Sequence, residues 1–581
     1  MGDIPDTGIF RPIERPATMD LCDFTNSNVE WVMECKRRVE RMALASPAMA
    51  AATWEKTAAE LATGLVQGPF TIHQLDEDSR EGFPALGRGR WHPLPRFGIE
   101  QNGKWRCVDD GKVAGTNANG ISTHETITCD RPDTPARIGL RFYVLGRPKR
   151  HRKNYRAVRV GGGKDDAWAA YRRVNTEDPG YMVAMVAVPR HGLSPDSEPC
   201  VRCVRIPGHA FGITSGVLNF NVIPAPFVAF SRVVFGVPVS NFYDDHQVTE
   251  PDYADGSGQR CHFGLHEIAR FHFAFPKHEG WSEVLEYTGV ETDFRRAADG
   301  FITIGASSKR RSKLLDLISS ALRVGSLAPS EASSMYGKAR YALCPVFGRA
   351  GMAAARLLRK RQYEDESSVI DDDLRDCLEL LLEVVRLLPA YRIPIFPSSR
   401  KPVVILTDAS FESSHTWLGF VCYCEDWGFR WAGLETPQWL LDVWERTKHR
   451  EQPIGQLEGI MGTSPYFSLP AEMLQGRNVM HYVDNQGALY GLIGGRSKDP
   501  DLNRICMIAQ MRTSLLACNV WYDYVPSAAN IADLPTRLDA EALLRLERLG
   551  PRVPLLLPPA WCLTCRWAAL RDLFCQSVSV V

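Results

Sequence analysis

The sequence has no excess of either charge: 68 Lys and Arg balance 68 Asp and Glu across 581 residues. A uniformly basic wrapper for nucleic acid is therefore excluded, and only local patches need be considered. It also lacks an uninterrupted apolar run of membrane length. The most apolar stretch, 217–239, is broken by Asn219, Asn221, Pro224, Pro226, Arg232 and Pro238, so it reads as buried interior and no membrane span is expected. Neither an internal repeat nor a low-complexity tract is present. No apolar signal segment follows Met1, and the 16 cysteines are irregularly spaced. The expectation is reduced thiols in a cytoplasmic or nuclear setting, with no disulfide scaffold. What is present, 45% hydrophobic and 23% charged residues, is ordinary globular composition, long enough for about three or four domains at ~150 residues each.

Residues 28–65 are rich in Ala, Glu, Lys and Met and predict a helical lead-in. Between 91 and 239, apolar runs such as Phe142-Tyr143-Val144-Leu145 and Met182-Val183-Ala184-Met185-Val186 alternate with Gly/Pro loops, predicting a sheet with helical insertions. The neutral total hides a local asymmetry. Residues 301–361 hold twelve Lys or Arg against two acids, and 364–383 hold nine acids against Arg375 alone, which predicts a cationic surface beside an acidic helix. The Pro/Ser-rich stretch 394–401 predicts a linker, with a domain boundary near 398. Beyond it, Val403-Val404-Ile405-Leu406 predicts a strand ending in Thr407-Asp408, 417–432 two more strands, 453–473 a helix, and 479–483 a strand leading to Asp484. The Pro/Leu-rich tail, 549–581, receives no function.

Two-metal phosphoryl transfer needs carboxylates from separate elements converging on two Mg²⁺ ions about 3.5–4 Å apart. Asn241-Phe242-Tyr243-Asp244-Asp245-His246 places two acids behind two aromatics and reads as a tight hairpin with the acids at its tip. Phe242-Tyr243-Asp244-Asp245 resembles the aromatic-x-Asp-Asp motif of reverse transcriptases, and Asp166 with Ala170-Tyr171 resembles their earlier Asp-x-x-x-Ala-Tyr motif. A glycine run, Gly161-Gly162-Gly163, stands before Asp166 where that family has apolar strand residues, and Asp165 is the alternative first carboxylate. Further segments resemble the family in order. Gly103-Lys104-Trp105-Arg106 is similar to the fingers segment that holds the triphosphate, implying Arg106 and, less directly, Lys104. His209-Ala210-Phe211-Gly212 resembles the loop under the incoming nucleotide, with Phe211 and Gly212 as contacts. Ala274-Phe275-Pro276-Lys277 resembles the motif whose lysine protonates the leaving pyrophosphate. Glu286-Tyr287-Thr288-Gly289-Val290 falls where the family grips the primer end, without its usual Leu-Gly. Tyr171, five residues past Asp166, would clash with a ribose 2′-hydroxyl and select dNTPs.

A second carboxylate set follows the linker. Thr407-Asp408-Ala409-Ser410, Gln456-Leu457-Glu458, Tyr482-Val483-Asp484-Asn485 and Asn530-Ile531-Ala532-Asp533-Leu534-Pro535-Thr536-Arg537 resemble, in order, the Asp-Glu-Asp-Asp set of ribonuclease H domains. The closing phrase is similar to that of retroelements of the tyrosine-recombinase (DIRS-like) class. Asn530 is a candidate cap for a final helix. No His lies between Trp521 and Asp533, where many such domains have one for product release, and slow turnover is implied.

The resemblance implies an α/β (α+β) chain: a helical extension (1–80), right-hand fingers and palm (81–295), a helical thumb/connection (296–397), a ribonuclease H-like domain (398–548) and a tail. It implies a retroelement RNA-directed DNA polymerase that also cuts RNA:DNA hybrids. Two Mg²⁺ per site, or Mn²⁺ in their place, would be held by Asp166 and Asp244 with Asp245 beside them, and by Asp408, Glu458, Asp484 and Asp533. Partners would be an RNA template, a DNA primer, the hybrid, dNTPs and other retroelement proteins. The competing reading is a catalytically inactive nucleic-acid scaffold with both folds. Asp6-Thr7-Gly8, the Cys200/Cys203 and Cys562/Cys565 spacings and the basic run 147–159 are assigned no chemistry. The pairs Asp109-Asp110 and Asp371-Asp372-Asp373 read as solvated turns.

Overall fold

The computed structural model describes residues 11–15, 17–19, 21–25, 29–77, 91–101, 103–119, 123–127, 129–146, 158–176, 180, 182–189, 200–343, 351–365, 367–387, 390–395, 400–412, 415–448, 453–537 and 539–571. Asp6-Thr7-Gly8, most of the 147–159 run and the centre of the 394–401 linker lie outside them. The fold is mixed α/β, with several sheets and many helices. It divides into two compact units, 1–142 with 153–283, and 143–152 with 284–581. The division after 283 precedes the expected boundary at 295, and no division falls near 398.

The longer helices of the first unit are α1 (Val29–Ala45), α2 (Pro47–Ala62), α3 (Thr134–Leu145, whose last three residues fall to the second unit), α4 (Thr214–Val222), α5 (Pro224–Val233) and α6 (Ser257–Ile268). Besides a small two-stranded sheet of Arg11–Arg15 with Thr123–Thr126, its strands are β1 (Gln67–Phe70), β2 (Pro93–Gln101), β3 (Lys104–Asp109), β4 (Val160–Asp166), β5 (Val183–Val188), β6 (Cys200–Arg205), β7 (Val239–Phe242), β8 (Asp245–Pro251) and β9 (Glu279–Ser282). The helix expected across 28–65 is two helices, because Pro47 has no N–H to continue α1 and instead opens α2. Val32, Cys35, Val39 and Ala43 recur at helical spacing on α1 and pack with Trp91 and with Val183 and Met185 of a five-stranded sheet ordered β1-β6-β5-β2-β3. Phe142 to Leu145 closes α3 and is not a strand; a four-residue apolar run carries no period, and Pro135 near the start favours helix. The stretch 217–239 is not wholly interior, since Phe230, Val233, Val234 and Phe235 are exposed at the end of α5.

The second sheet, ordered β9-β4-β8-β7, is antiparallel throughout. Glycine is a poor strand former, yet Gly161, Gly162 and Gly163 all lie in β4. The reason is close approach. A side chain at Gly162 would collide with the Val248 carbonyl of β8, and one at Gly163 with the Gln259 amide of α6.

The second unit begins with the meander β10 (Val284–Tyr287), β11 (Val290–Asp293), β12 (Phe301–Ala306) and, after four helices, β13 (Tyr391–Pro394), paired in that order. The helices are α7 (Ser308–Val324), α8 (Pro329–Leu343), α9 (Met352–Tyr363) and α10 (Asp372–Leu387). Leu314, Ile318, Leu374, Leu378 and Leu381 from these helices share one core with Met507, Ile508 and Met511, and with Cys562 and Leu570 of the tail. The charge asymmetry of 301–383 resolves into specific bonds. Asp372 and Asp373 sit in the first turn of α10, where the helix dipole favours acids, and Arg311 donates to the Val385 (2.8 Å) and Arg386 carbonyls at its far end. Arg361, buried, donates to the Ser367 and Val369 carbonyls, and Arg356 to Ser497. Lys309, Arg323, Arg340, Arg359 and Lys360 remain exposed.

A five-stranded sheet follows: β14 (Val403–Glu412), β15 (His415–Cys424), β16 (Gly428–Glu435), β17 (Asn478–Val483) and β18 (Asn519–Tyr524), ordered β16-β15-β14-β17-β18. The first three strands are antiparallel; β17 and β18 run parallel to β14. Around it lie α11 (Ile454–Met461), α12 (Gln486–Gly494), α13 (Pro500–Leu515) and α14 (Asp533–Arg537). The helix expected over 453–473 stops at Met461, with Gly462, Pro465 and Pro470 dividing the rest into single turns. The tail straps the sheet: Trp431 Nε1 donates to the Gly550 carbonyl at 3.0 Å, and the Val553 N–H donates to the Trp431 carbonyl at 2.8 Å.

Candidate active sites

The first site is built by strand register. Asp166 on β4 lies directly across from Asp245 on β8, and cross-strand partners present their side chains to one face. Asp165 and His246, also partners, must then face the opposite side. Between β7 and β8 only Tyr243 and Asp244 form the turn, with Tyr243 at φ 56°, the left-handed geometry that two-residue hairpins require. The Asp244 carbonyl accepts the Ala167 N–H at 2.8 Å, which ties the turn to the residue after Asp166. Burial first, and the neighbouring Asp166 charge second, push the Asp244 carboxyl up to about 6. Lys277 Nζ donates to Asp166 Oδ1 at 2.5 Å, and Lys164 Nζ stands 3.4 Å from Asp245 Oδ1. Asp165 is not the alternative ligand. It is 2% exposed, on the wrong face, and engaged by Gln259 Nε2 at 2.9 Å and His278 Nδ1 at 2.7 Å.

Tyr171 lies in a 3₁₀ turn, Ala170–Arg173, half-buried and edge-on to Phe211 (5.7 Å) and Phe220 (5.0 Å). Its hydroxyl is pushed above the ordinary tyrosine range by burial and then by the Asp244 charge, which places it beside the pair. Gly212 has φ 110°, and a Cβ there would strike the Asp109 carbonyl. Its backbone is thus pressed onto the end of β3, where Asn117 Nδ2 also donates to the Gly212 carbonyl at 2.8 Å. Lys104 and Arg106 are exposed on β3. Among the described residues no hydrogen bond or ion pair joins them to Asp166 or Asp244.

Asp109 overturns the reading of Asp109-Asp110 as a solvated turn, for it is fully buried. Arg96 Nε (2.7 Å) and Arg172 Nη2 (3.0 Å) donate to its carboxylate, as does the Phe211 N–H (3.1 Å). The same arginines reach Glu60, at 2.8 Å and 3.2 Å. Burial opposes the Asp109 charge, but the two guanidiniums outweigh it and hold the carboxyl below its usual range. This lattice fixes the 3₁₀ turn of Tyr171 and the Phe211-Gly212 loop to β3. Asp109→Asn leaves two buried guanidiniums short of a charge, and a loss of about 3–5 kcal/mol of folding stability is expected in urea unfolding. An unchanged midpoint would show the lattice to be dispensable.

The second site sits where parallel strands end. Pairing of β14 with β17 stops at Thr407 and Val483, so Asp408 and Asp484 are the next residue on each, although β14 itself continues to Glu412 and Asp408 does not end it. Glu458 comes in from α11, 4% exposed. Asp408, Glu458 and Asp484 each offer an oxygen within 4.8 Å of the others. Burial, then the charges of Asp484 and Asp408, raise Glu458 well above its ordinary value; burial raises Asp408 to about 6 against a 2.7 Å hydrogen bond from Thr536 Oγ1. Asp533 stands outside this trio, close enough for its charge to act on Asp408, and is paired with Arg537 at 2.9 Å. Asn530 caps the turn that leads into α14, its Oδ1 accepting the Ala532 N–H at 3.2 Å, while its Nδ2 donates to the Thr407 carbonyl at 2.9 Å and fastens the Asp533 loop to β14.

Both clusters suit divalent cations bound by oxygen. Glu458 Oε2 and Asp484 Oδ1 are buried without a hydrogen-bond partner, and like charges are crowded in each site. Because Asp244 and Asp408 are raised from 3.8 to about 6, ionising them costs folded-state stability, which falls in the metal-free chain as pH rises from about 4 to 6. Metal binding needs the ionised forms. The Mg²⁺-induced rise in melting temperature should therefore shrink below pH ~6, apparent affinity dropping roughly tenfold per pH unit for each proton displaced. A shift of equal size at pH 5 and 7.5 would contradict this.

No known protein family and no curated protein matches the sequence. Among solved structures, the chain is similar to a foamy viral protease-reverse transcriptase in complex with double-stranded DNA, at 12% identity and a TM-score of 0.37, over 80% of this chain and 68% of that one. At that level the similarity decides nothing about function.

Proposed function

We propose that the chain is a nucleic-acid phosphoryl-transfer enzyme with two sites, an RNA-directed DNA polymerase of retroelement type and a nuclease for the RNA strand of RNA:DNA hybrids. One observation carries the reading: carboxylates far apart in sequence meet in two separate clusters, Asp166 with Asp244 and Asp245, and Asp408 with Glu458 and Asp484. In this reading the four-stranded sheet β9-β4-β8-β7 with α4 to α6 belongs to a palm, the five-stranded sheet with β2 and β3 to fingers, 284–395 to a thumb and connection, and 403–537 to a ribonuclease H-like domain. Paired Mg²⁺ ions, when bound by these acids, would supply charge neutralisation and activate the attacking oxygen.

The side chains do the rest. Lys277, 61% exposed at its ammonium-bearing side chain, can leave Asp166 and give a proton to departing pyrophosphate. The Tyr171 ring, braced by Phe220, stands against a ribose 2′-hydroxyl, and Phe211 and Gly212 underlie the base and sugar. Lys104 and Arg106, both exposed on β3, would take the triphosphate, Arg106 through its planar fork. Asp533 completes the nuclease set from the rim, after parting from Arg537. Exposed cations of α7 to α9 suit a duplex backbone. The test is extension of a DNA primer on an RNA template with dNTPs and Mg²⁺, followed by release of labelled RNA from the hybrid. A chain that binds hybrid but neither extends nor cuts is a scaffold.

A further inference from the structure

Behind the first site, on the face of β8 opposite the catalytic acids, three imidazoles are packed together. His246 of β8 and His262 and His266 of α6 are each no more than 1% exposed, with ring centroids 4.7–5.1 Å apart. One ring nitrogen from each lies within 4.8 Å of those of the others. His262 and His266 are four residues apart on one helix face, the spacing that lets two imidazoles share an ion.

The outer hydrogen bond of His266 sets its tautomer. His266 Nδ1 lies 3.2 Å from the Phe271 carbonyl, which can only accept, so the proton is on Nδ1 and Nε2 keeps a bare lone pair. That Nε2 is buried and has no hydrogen-bond partner. His262 Nδ1 is held at 2.8 Å by Ser231 Oγ, which leaves its Nε2 as the inner atom, 3.0 Å from His246 Nδ1. Two nitrogens each ~2.0–2.1 Å from a tetrahedral ion are about 3.3 Å apart, so this pair needs little movement. Carbonyl or hydroxyl groups bonded to the outer nitrogen are the usual second layer of a histidine metal site. Burial lowers His262 to about 3 and His266 to about 4, which favours the neutral ring that ligates. A hydrogen-bonded core stack accounts for the His246–His262 contact but leaves His266 Nε2 unexplained.

We propose that His246, His262 and His266 bind a borderline transition-metal cation of the Zn²⁺ type, separate from any Mg²⁺ at the carboxylates. Three imidazoles and no carboxylate select such an ion over Mg²⁺, which prefers oxygen. The ion pins β8 to α6. Ligation through His246 Nδ1 leaves that ring's proton on Nε2, which lies 3.3 Å from Asn241 Nδ2. Asn241 must then turn its amide oxygen inward and release the Tyr243 carbonyl, now 2.9 Å away, so the turn carrying Asp244 senses occupancy.

The experiment titrates the chelator-stripped full chain with Co²⁺ in excess Mg²⁺. One equivalent should produce the intense visible absorption of a nitrogen-ligated, low-coordinate Co²⁺, and Zn²⁺ should abolish it by displacement. His262→Gln and His266→Gln should each weaken Co²⁺ binding at least tenfold. X-ray absorption of the Zn²⁺-loaded wild type, which requires no variant to fold, should count three imidazoles at about 2.0–2.1 Å. Fewer than three imidazoles, no such absorption from folded wild type, or the same affinity in both variants overturns the proposal.

Discussion

Asp244→Ala is expected to abolish primer extension on an RNA template, lowering the rate by at least ~10³-fold, equivalent to about 4 kcal/mol of barrier. Asp244 occupies the two-residue turn where its carboxyl is crowded against Asp166, so alanine removes the charge without removing a strand residue. The variant should not unfold, because a carboxyl raised to about 6 costs stability when ionised at neutral pH. Hybrid cleavage should continue at wild-type rate, since Asp408, Glu458 and Asp484 belong to the other compact unit. Measured extension above a tenth of wild type would remove Asp244 from the chemistry. Loss of both activities together would point instead to misfolding.

The second large effect is on the proposed hybrid cleavage. Glu458→Gln keeps the shape of a side chain that is 4% exposed but deletes a charge held among two others, with Oε2 unpaired. Metal-dependent cleavage of a labelled hybrid should fall by about 10³-fold or more, while the metal-free chain gains about 1–2 kcal/mol in stability, read as a higher urea midpoint. Activity and stability moving in opposite directions is the signature of a binding residue. If both fall, Glu458 is a structural acid and the trio is not a metal site.

The acids that the structure gathers are legible because each stands inside a short phrase that resembles a family motif: Phe242-Tyr243-Asp244-Asp245, Asp166 with Tyr171, and the later acids on successive elements. Register could not be read. Which of Asp165 and Asp166 faces Asp245 depends on one residue of slip between β4 and β8, and only the pairing decides it. Asp109 was misread because an Asp-Asp pair is ordinarily wet, and the arginines that bury it come from positions 96 and 172. The glycines of β4 oppose strand propensity, and their reason, contact with the Val248 carbonyl and Gln259, is tertiary. His262 and His266 had a readable spacing, but the third histidine joins them only through the sheet.

The helices of 308–387 and the α13 helix beside the five-stranded sheet β16-β15-β14-β17-β18 close over the same side chains, Leu378 and Leu381 against Met507, Ile508 and Met511. These segments therefore form a single cooperative foldon, and a cut near 398 would strand half an oily interface on each piece. The helices of 308–387 and α13 each complete the other's interior.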